Sequence, residues 1–439
     1  MDIKLIIKEI ITSFHASPNV DCIRRNIQLP TNIKKVITVI GVRRSGKTYL
    51  LFDTITKLIN EGVPKTHILY INFEDERLLL NQEDLDFILQ AYRELYPSVE
   101  DKDIWFFFDE IQNVTAWEKF IRRIYDTVSK NIYITGSNSN FLSTDIATSL
   151  RGRSINYEVY PFSFDEYLRY LNIDDNIHLP KNKALIINKY YDFLKNGGFP
   201  ETIDVELRLR NEILRNYFYV MLYKDLIERY SITSTNILKR YIEKIADNIG
   251  KPFSVNKIYN GFKSQSYKLD KNLLYEINGI TEKIYLAFSI SKFDYSAKKR
   301  DASLRKMYFI DNGLLNTLTM GYSEDYGKLL ENYVYLYLRQ NYSSIYEQNI
   351  FYHKGKQECD FIIYDNKKVI AAMQVSHNVS DEQTLKREIK GLTEAMELYK
   401  LNKGFIITSE QEYTVINDGF EIAIIPAYKL FMKNEISFR

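Results

Sequence analysis

Only two cysteines occur in 439 residues, Cys22 and Cys359, and they lie in unrelated contexts that fit no metal-ligand spacing. That excludes a cysteine-built metal module and suits a reducing compartment. No apolar run approaches the roughly 18–20 residues needed to span a bilayer. The first ten residues, MDIKLIIKEI, are broken by Lys8 and Glu9, which argues against an ordinary signal peptide. No polar low-complexity tract argues for disorder, and no internal repeat is found. A soluble, cytoplasmic protein is expected.

A net charge of one sign is also missing: 59 Lys and Arg stand against 57 Asp and Glu, for a net +2. The distribution says more. Residues 231–306 hold fifteen Lys and Arg against seven Asp and Glu, so the rest of the chain is slightly acidic. A basic central block points to a polyanion-facing module, although a solvated Lys-rich surface has the same composition.

What is present is a chain long enough for two to four domains at roughly 100–200 residues each. It is 45% hydrophobic and 14% aromatic, enough for large cores. From residue 35 to 160 the runs VITVIG, HILYINF, DIWFFFDE and NIYITGS are each followed by a helix-length segment. That alternation predicts a parallel sheet covered on both faces, with strands apolar nearly throughout. After Pro161 the pattern turns helical to about residue 230. It opens on SFDE (163–166), the spacing of a capping box, and is interrupted by the turn NGGFPE at 196–201. Helices are predicted at 236–248, 254–263 and 268–280, followed by an extended IYLAFSISKF, a basic turn SAKKRD and a strand RKMYFID. Three helices and a β-hairpin are the winged-helix arrangement. From about 325 a helix, strands near 350–353, 358–364 and 369–376, a helix at 381–400 and a strand GFIIT make a small α/β domain.

GVRRSGKT, Gly41 to Thr48, matches G-x-x-x-x-G-K-[ST] between a strand and a helix. Gly41, Val42, Arg43, Arg44, Ser45, Gly46, Lys47, Thr48 and Tyr49 form the expected nucleotide-binding set. Backbone N–H groups and the helix N-terminus would cradle phosphates, and Lys47 would neutralise the β- and γ-phosphates. The Thr48 hydroxyl would ligate Mg²⁺. About sixty residues on, FFFDE ends a strand with two acids: Asp109 to hold Mg²⁺ and Glu110 to orient and deprotonate the attacking water. The next strand ends in TGSNSNF, where Asn138, or alternatively Ser137, is a polar sensor or a helix cap. In SLRGRS, Arg151 or Arg153 would stabilise transition-state charge in its own site or a neighbour's. The cofactors implied are ATP and Mg²⁺.

GVRRSGKT, FFFDEIQNV, ITGSNS, LRGR, PFSFDEYL, GGFPE and YGKLLENYVYLYL, in that order along nearly the whole chain, resemble a prokaryotic AAA-type ATPase family with a C-terminal restriction-endonuclease-like domain. The resemblance implies an ATPase core (35–160), a helical lid (161–230), a winged helix (231–320) and the terminal α/β domain (321–439); before them, the apolar pattern at 2–14 predicts a short helix in an N-terminal lead-in (1–34). It also places Arg153 in the nucleotide-sensing machinery, ahead of Arg151.

In the winged helix the third helix would face DNA, with Lys263, Lys268 and Lys271 at its start and Lys298, Lys299 and Arg300 at the wing tip. Few side chains there suit bidentate base reading, so salt-sensitive contact with little sequence selectivity is expected. The terminal domain resembles the PD-(D/E)xK nuclease fold, which needs acids for a metal and a lysine for water. Glu331 fits the helix acid and Asp360 the strand acid, with Glu358 on the same face. Gln374 and Ser376 stand where an acid and a lysine belong. Gln374 offers at most a carbonyl oxygen, and Lys386 or Arg387 would have to swing in. Three readings follow: an ATPase coupling nucleotide state to a DNA-facing C-terminal half with an impaired nuclease-like site; an ATP-driven switch for protein contact or self-assembly; and an ATP-dependent nuclease.

Overall fold

The computed structural model describes residues 2–136, 150–228, 230, 232, 234–267, 269–319, 325–343 and 347–432. The chain divides into two units after Tyr160.

In the first unit the apolar runs form β1 (Val36–Gly41), β2 (Ile68–Asn72), β3 (Trp105–Asp109) and β4 (Ile132–Gly136), and β5 (Ser154–Val159) joins them. All pair in parallel in the order β2-β3-β4-β1-β5. Helices α1 (Ile3–Ala16), α2 (Lys47–Asn60), α3 (Asp86–Leu95) and α4 (Trp117–Thr127) accompany the sheet. β1 is buried at all six positions, as a strand covered on both faces should be. β5 sits at the sheet edge and is only half-buried over most of its length, so SINYEV carries too little apolar signal to stand out. A core of Ile37, Val39, Leu50, Leu51, Phe107 and Tyr133 locks α2 onto the sheet. The N-terminal helix α1 belongs to this unit too, burying Ile6, Ile7 and Ile11 and packing on α3 and β2.

The second unit begins with α5 (Phe164–Tyr170), which opens on the expected capping box: the Glu166 carboxylate accepts the Ser163 N–H at 3.0 Å. α6 (Pro180–Asn196) and α7 (Leu207–Val220) follow, the latter running into a π-helical segment Met221–Glu228. Then come α8 (Thr235–Asp247), β6 (Pro252–Phe253), α9 (Val255–Ser264), α10 (Lys271–Lys283), β7 (Ala287–Ser291), α11 (Ala297–Asp301) and β8 (Arg305–Phe309). The three strands form an antiparallel sheet, β6-β8-β7. Two details differ from the sequence reading. The two-residue strand β6 is too short to leave a pattern, and SAKKRD winds into the short helix α11 where a turn was expected.

α12 (Asn312–Leu318) leads to α13 (Tyr326–Tyr342). β9 (Ile350–Lys354), β10 (Glu358–Asp365), β11 (Lys368–Val375), α14 (Glu382–Tyr399), β12 (Lys403–Thr408), β13 (Tyr413–Asn417), β14 (Phe420–Pro426) and α15 (Ala427–Met432) complete the chain. Their six-stranded mixed sheet has the order β13-β14-β12-β11-β10-β9. Its core takes in Phe293 from the loop after β7, so the three-stranded module and the α/β part share packing. Among the described residues no helix is long and apolar enough to cross a membrane.

Candidate nucleotide site and carboxylate cluster

β1 delivers Gly41 to the sheet's carboxyl edge with φ 150°, a conformation that side chains rarely adopt. A Cβ there would lie 2.1 Å from the Val159 carbonyl oxygen of β5. The loop turns back through Gly46, φ 96°, which caps α2. Lys47, only 5% exposed, points its Nζ at the loop carbonyls of Gly41 (3.3 Å) and Val42 (3.2 Å) and pairs with Glu110 Oε1 at 3.5 Å. From the lead-in, the buried Arg25 donates to the Ser45 carbonyl in the loop (2.8 Å) and to the Tyr160 carbonyl (2.7 Å).

β3 pairs beside β4, and its last residue is Asp109. The Thr48 hydroxyl donates to Asp109 Oδ2 at 2.7 Å and the Tyr70 hydroxyl to the same oxygen at 3.2 Å. Thr135, on β4, donates to Asp109 Oδ1 and accepts the Glu110 N–H at 2.8 Å. Burial pushes the Asp109 carboxyl up, while the hydrogen bonds from Thr135 and Thr48 pull it back. Glu110 sits just past the strand at φ 52°, with the Gln112 amide donating to its Oε2. Lys47, Thr48, Asp109 and Glu110, far apart in sequence as two pairs, thus share one place. The hydroxyl of Thr48 and the carboxylate of Asp109 are hard oxygen donors of the kind Mg²⁺ takes. Arg25, Tyr70 and Thr135 escaped the sequence reading, since each lies in a segment that reads as lead-in or plain strand.

Arg43 pairs with Glu74 at 3.3 Å, and Tyr49 is 57% exposed on α2. Ser137 and Asn138 lie outside the described residues. Arg151 and Arg153 precede β5, whose Ser154 pairs with Val36 at the start of β1. They therefore sit at the amino end of the parallel sheet, about 17 Å of strand from the phosphate loop. Arg153 engages Asp126 at 3.1 Å and Arg151 is exposed. The expectation that either could serve its own site is corrected by this placement.

In the second unit Lys271 starts α10, but Lys263 lies in the last turn of α9, not at the start of the third helix, and Lys268 lies outside the described residues. Lys263, Lys271, Lys298 and Lys299 are exposed. Arg300 is not a free tip contact: it donates to the Asp294 carbonyl at 2.7 Å and covers the Phe351 ring.

Glu331 on α13 and Glu358 and Asp360 on β10 converge; the i, i+2 spacing places the last two on one face, and the nuclease-fold resemblance implies the first. What they converge on was not expected. Lys306 of β8, 1% exposed, places its Nζ 2.8 Å from Glu358, 3.1 Å from Asp360 and 3.5 Å from Glu331. Burial opposes the charge on Lys306, but the three carboxylates outweigh it and hold its pKa above the usual lysine value. Burial likewise raises Glu331, against the pull of Lys306. Gln374 does not offer its carbonyl to a metal: its Oε1 accepts the Asp360 N–H (2.8 Å), and its amide donates to Glu358 O (3.1 Å) and Glu388 Oε2 (3.0 Å). Lys386 pairs with Glu382 and Arg387 with Glu388. Among the described residues no group of three or more His, Cys, Asp or Glu is arranged to hold a metal ion.

The model of a family described as an AAA domain matches residues 33–168. Two described as domains of unknown function match 187–325 (DUF8612) and 326–428 (DUF4143). Uncharacterized protein MJ1544 of Methanocaldococcus jannaschii is 34% identical, over 98% of this chain and 96% of its own. A Haemophilus influenzae protein is 33% identical over 71% of this chain and 76% of its own. Among solved structures, Aeropyrum pernix ORC1 in complex with DNA aligns at TM-score 0.30 and 12% identity, covering 72% of this chain and 91% of that one. AMPPCP-bound DnaA from Aquifex aeolicus aligns at TM-score 0.25 and 14% identity, covering 63% and 86%. At those scores neither structure bears on the reading. Identity of 34% with MJ1544 over nearly the full length of both chains places this chain in the family of that protein, and the AAA match covers the sheet that carries its phosphate loop.

Proposed function

We propose that the chain binds ATP with Mg²⁺, hydrolyses it, and couples its nucleotide state to contact between the second unit and nucleic acid. The observation that carries the first part is the meeting of Lys47, Thr48, Asp109 and Glu110 at the carboxyl edge of a parallel sheet, where ligands of such sheets gather. Mg²⁺ held by Thr48 and Asp109 supplies charge neutralisation at the phosphates. Lys47 exchanges the loop carbonyls and Glu110 for phosphate oxygens. Glu110, released from that ion pair and steadied by Gln112, takes the proton of the attacking water. Glu110→Gln is expected to bind ATP with near-normal affinity and turn over roughly 100-fold or more slowly. Normal turnover would remove Glu110 from that role.

Exposed Lys263, Lys271, Lys298 and Lys299 support the nucleic-acid part, because lysines of that kind contact phosphates without reading bases. The deciding measurement is the ATPase rate with and without single- and double-stranded DNA at two salt concentrations. Stimulation that fades with salt supports the coupling. An unchanged rate favours a second reading, a nucleotide switch for protein contact. That reading draws on Leu207, Leu209, Tyr219, Val220 and Tyr223, each more than a third exposed along α7 and its π-helical extension.

A further inference from the structure

The carboxylate cluster of the second unit is built to hold one cation, and the chain supplies that cation itself. Each acid is aimed by a separate contact. Asp360 keeps Oδ1 for Lys306 and accepts the Val375 N–H on Oδ2 at 3.0 Å. Glu331 accepts the Tyr308 hydroxyl at 2.8 Å, and Gly250, φ 72°, leaves it room where a Cβ would lie 2.5 Å from its Oε2. Glu358 shares its second oxygen with Lys354 at 2.8 Å. An ammonium has three N–H donors, and three carboxylates face it. The lysine comes from the region matched at 187–325 and the acids from that matched at 326–428.

We propose that Lys306 is a resident cation: it fills the point on which Glu331, Glu358 and Asp360 converge, excludes divalent metal ions from it, and fastens β8 to α13 and β10. Ammonium–oxygen distances of 2.8–3.5 Å separate the acids more widely than the ~2.0–2.6 Å bonds of Mg²⁺ or Ca²⁺ would. A metal could enter only by displacing a buried side chain from three partners, and removing one member of such a set is strongly unfavourable. This part of the chain therefore acts as a metal-free element, and metal-dependent strand cleavage at these acids is not among its activities.

Metal-stripped full-length protein without nucleotide, titrated with Mn²⁺ by calorimetry, tests this. Wild type and Asp360→Asn are expected to bind the same number of Mn²⁺ ions. Lys306→Met, which keeps the side-chain volume and removes the charge, is expected to bind one more, to lose it in the Lys306→Met/Asp360→Asn double variant, and to gain thermal stability on Mn²⁺ addition. Loss of one Mn²⁺ from wild type on Asp360→Asn would overturn the proposal, as would a folded Lys306→Met variant that gains none. Should that variant fail to fold, the wild-type and Asp360→Asn pair still decides whether metal is excluded.

Discussion

Thr135 holds two consecutive acids at once, donating to Asp109 and accepting from the Glu110 N–H. Valine keeps its shape but leaves a buried N–H without a partner, at a cost of about 1–3 kcal/mol. Thr135→Val is expected to lower the melting temperature and raise the Mg²⁺ concentration needed for ATP hydrolysis. A normal Mg²⁺ requirement would separate Thr135 from the site. Lys47, Thr48, Asp109 and Glu110 were legible because each pair sits in a contiguous motif; Thr135 was not, because its role depends on which strand lies beside β3. Asp311 gives a pH prediction. Burial lifts its carboxyl to about 6, while N–H donors of Gly198 and Leu314 hold it down. Between about pH 4 and 6 the folded chain keeps a proton that the unfolded chain has lost. The associated stability, up to about 3 kcal/mol, is complete below that window and lost as pH rises through it. Urea unfolding of Asp311→Asn across this range is expected to lack that part of the slope.

At the scale of elements, local rules read best where they are closed within a few residues. The Ser163–Glu166 capping box was visible as a spacing and is present at the start of α5. The helix α1 was visible as a pattern, but not its partner, since packing on α3 and β2 joins residues some eighty positions apart. Ile7 is wholly buried in that contact, and Ile7→Ala is expected to cost about 2–5 kcal/mol in urea unfolding. Elements were missed for physical reasons. β6 is two residues long, and β13 and β14 join through Asp418-Gly419, a hairpin signal that the strand GFIIT overshadowed. Lys306 was hidden most completely. Between Arg305 and Met307 in a basic stretch it reads as a solvated lysine, and only the acids at 331, 358 and 360 reveal otherwise.

For the whole molecule, composition says less than distribution. A chain of net charge +2 gives no hint of a polyanion, whereas the basic block at 231–306 does. The sheet also limits what Arg153 can reach: from the amino end of β5 it stands away from its own phosphate loop, so a role at phosphates requires a second copy. Mixing Arg153→Ala with Lys47→Ala, each inactive alone, is expected to restore part of the ATPase rate through interfaces that pair an intact loop with an intact arginine. No recovery at any ratio would take Arg153 out of the catalytic set. Arg25 has a mechanical consequence of its own. Its guanidinium is planar and stiff, with one arm on Ser45 of the phosphate loop and the other on Tyr160, where the chain leaves the first unit. The two carbonyls are the ends of a strut. They tie the phosphate loop directly to the last residue of the first unit, by a path that does not pass through the sheet.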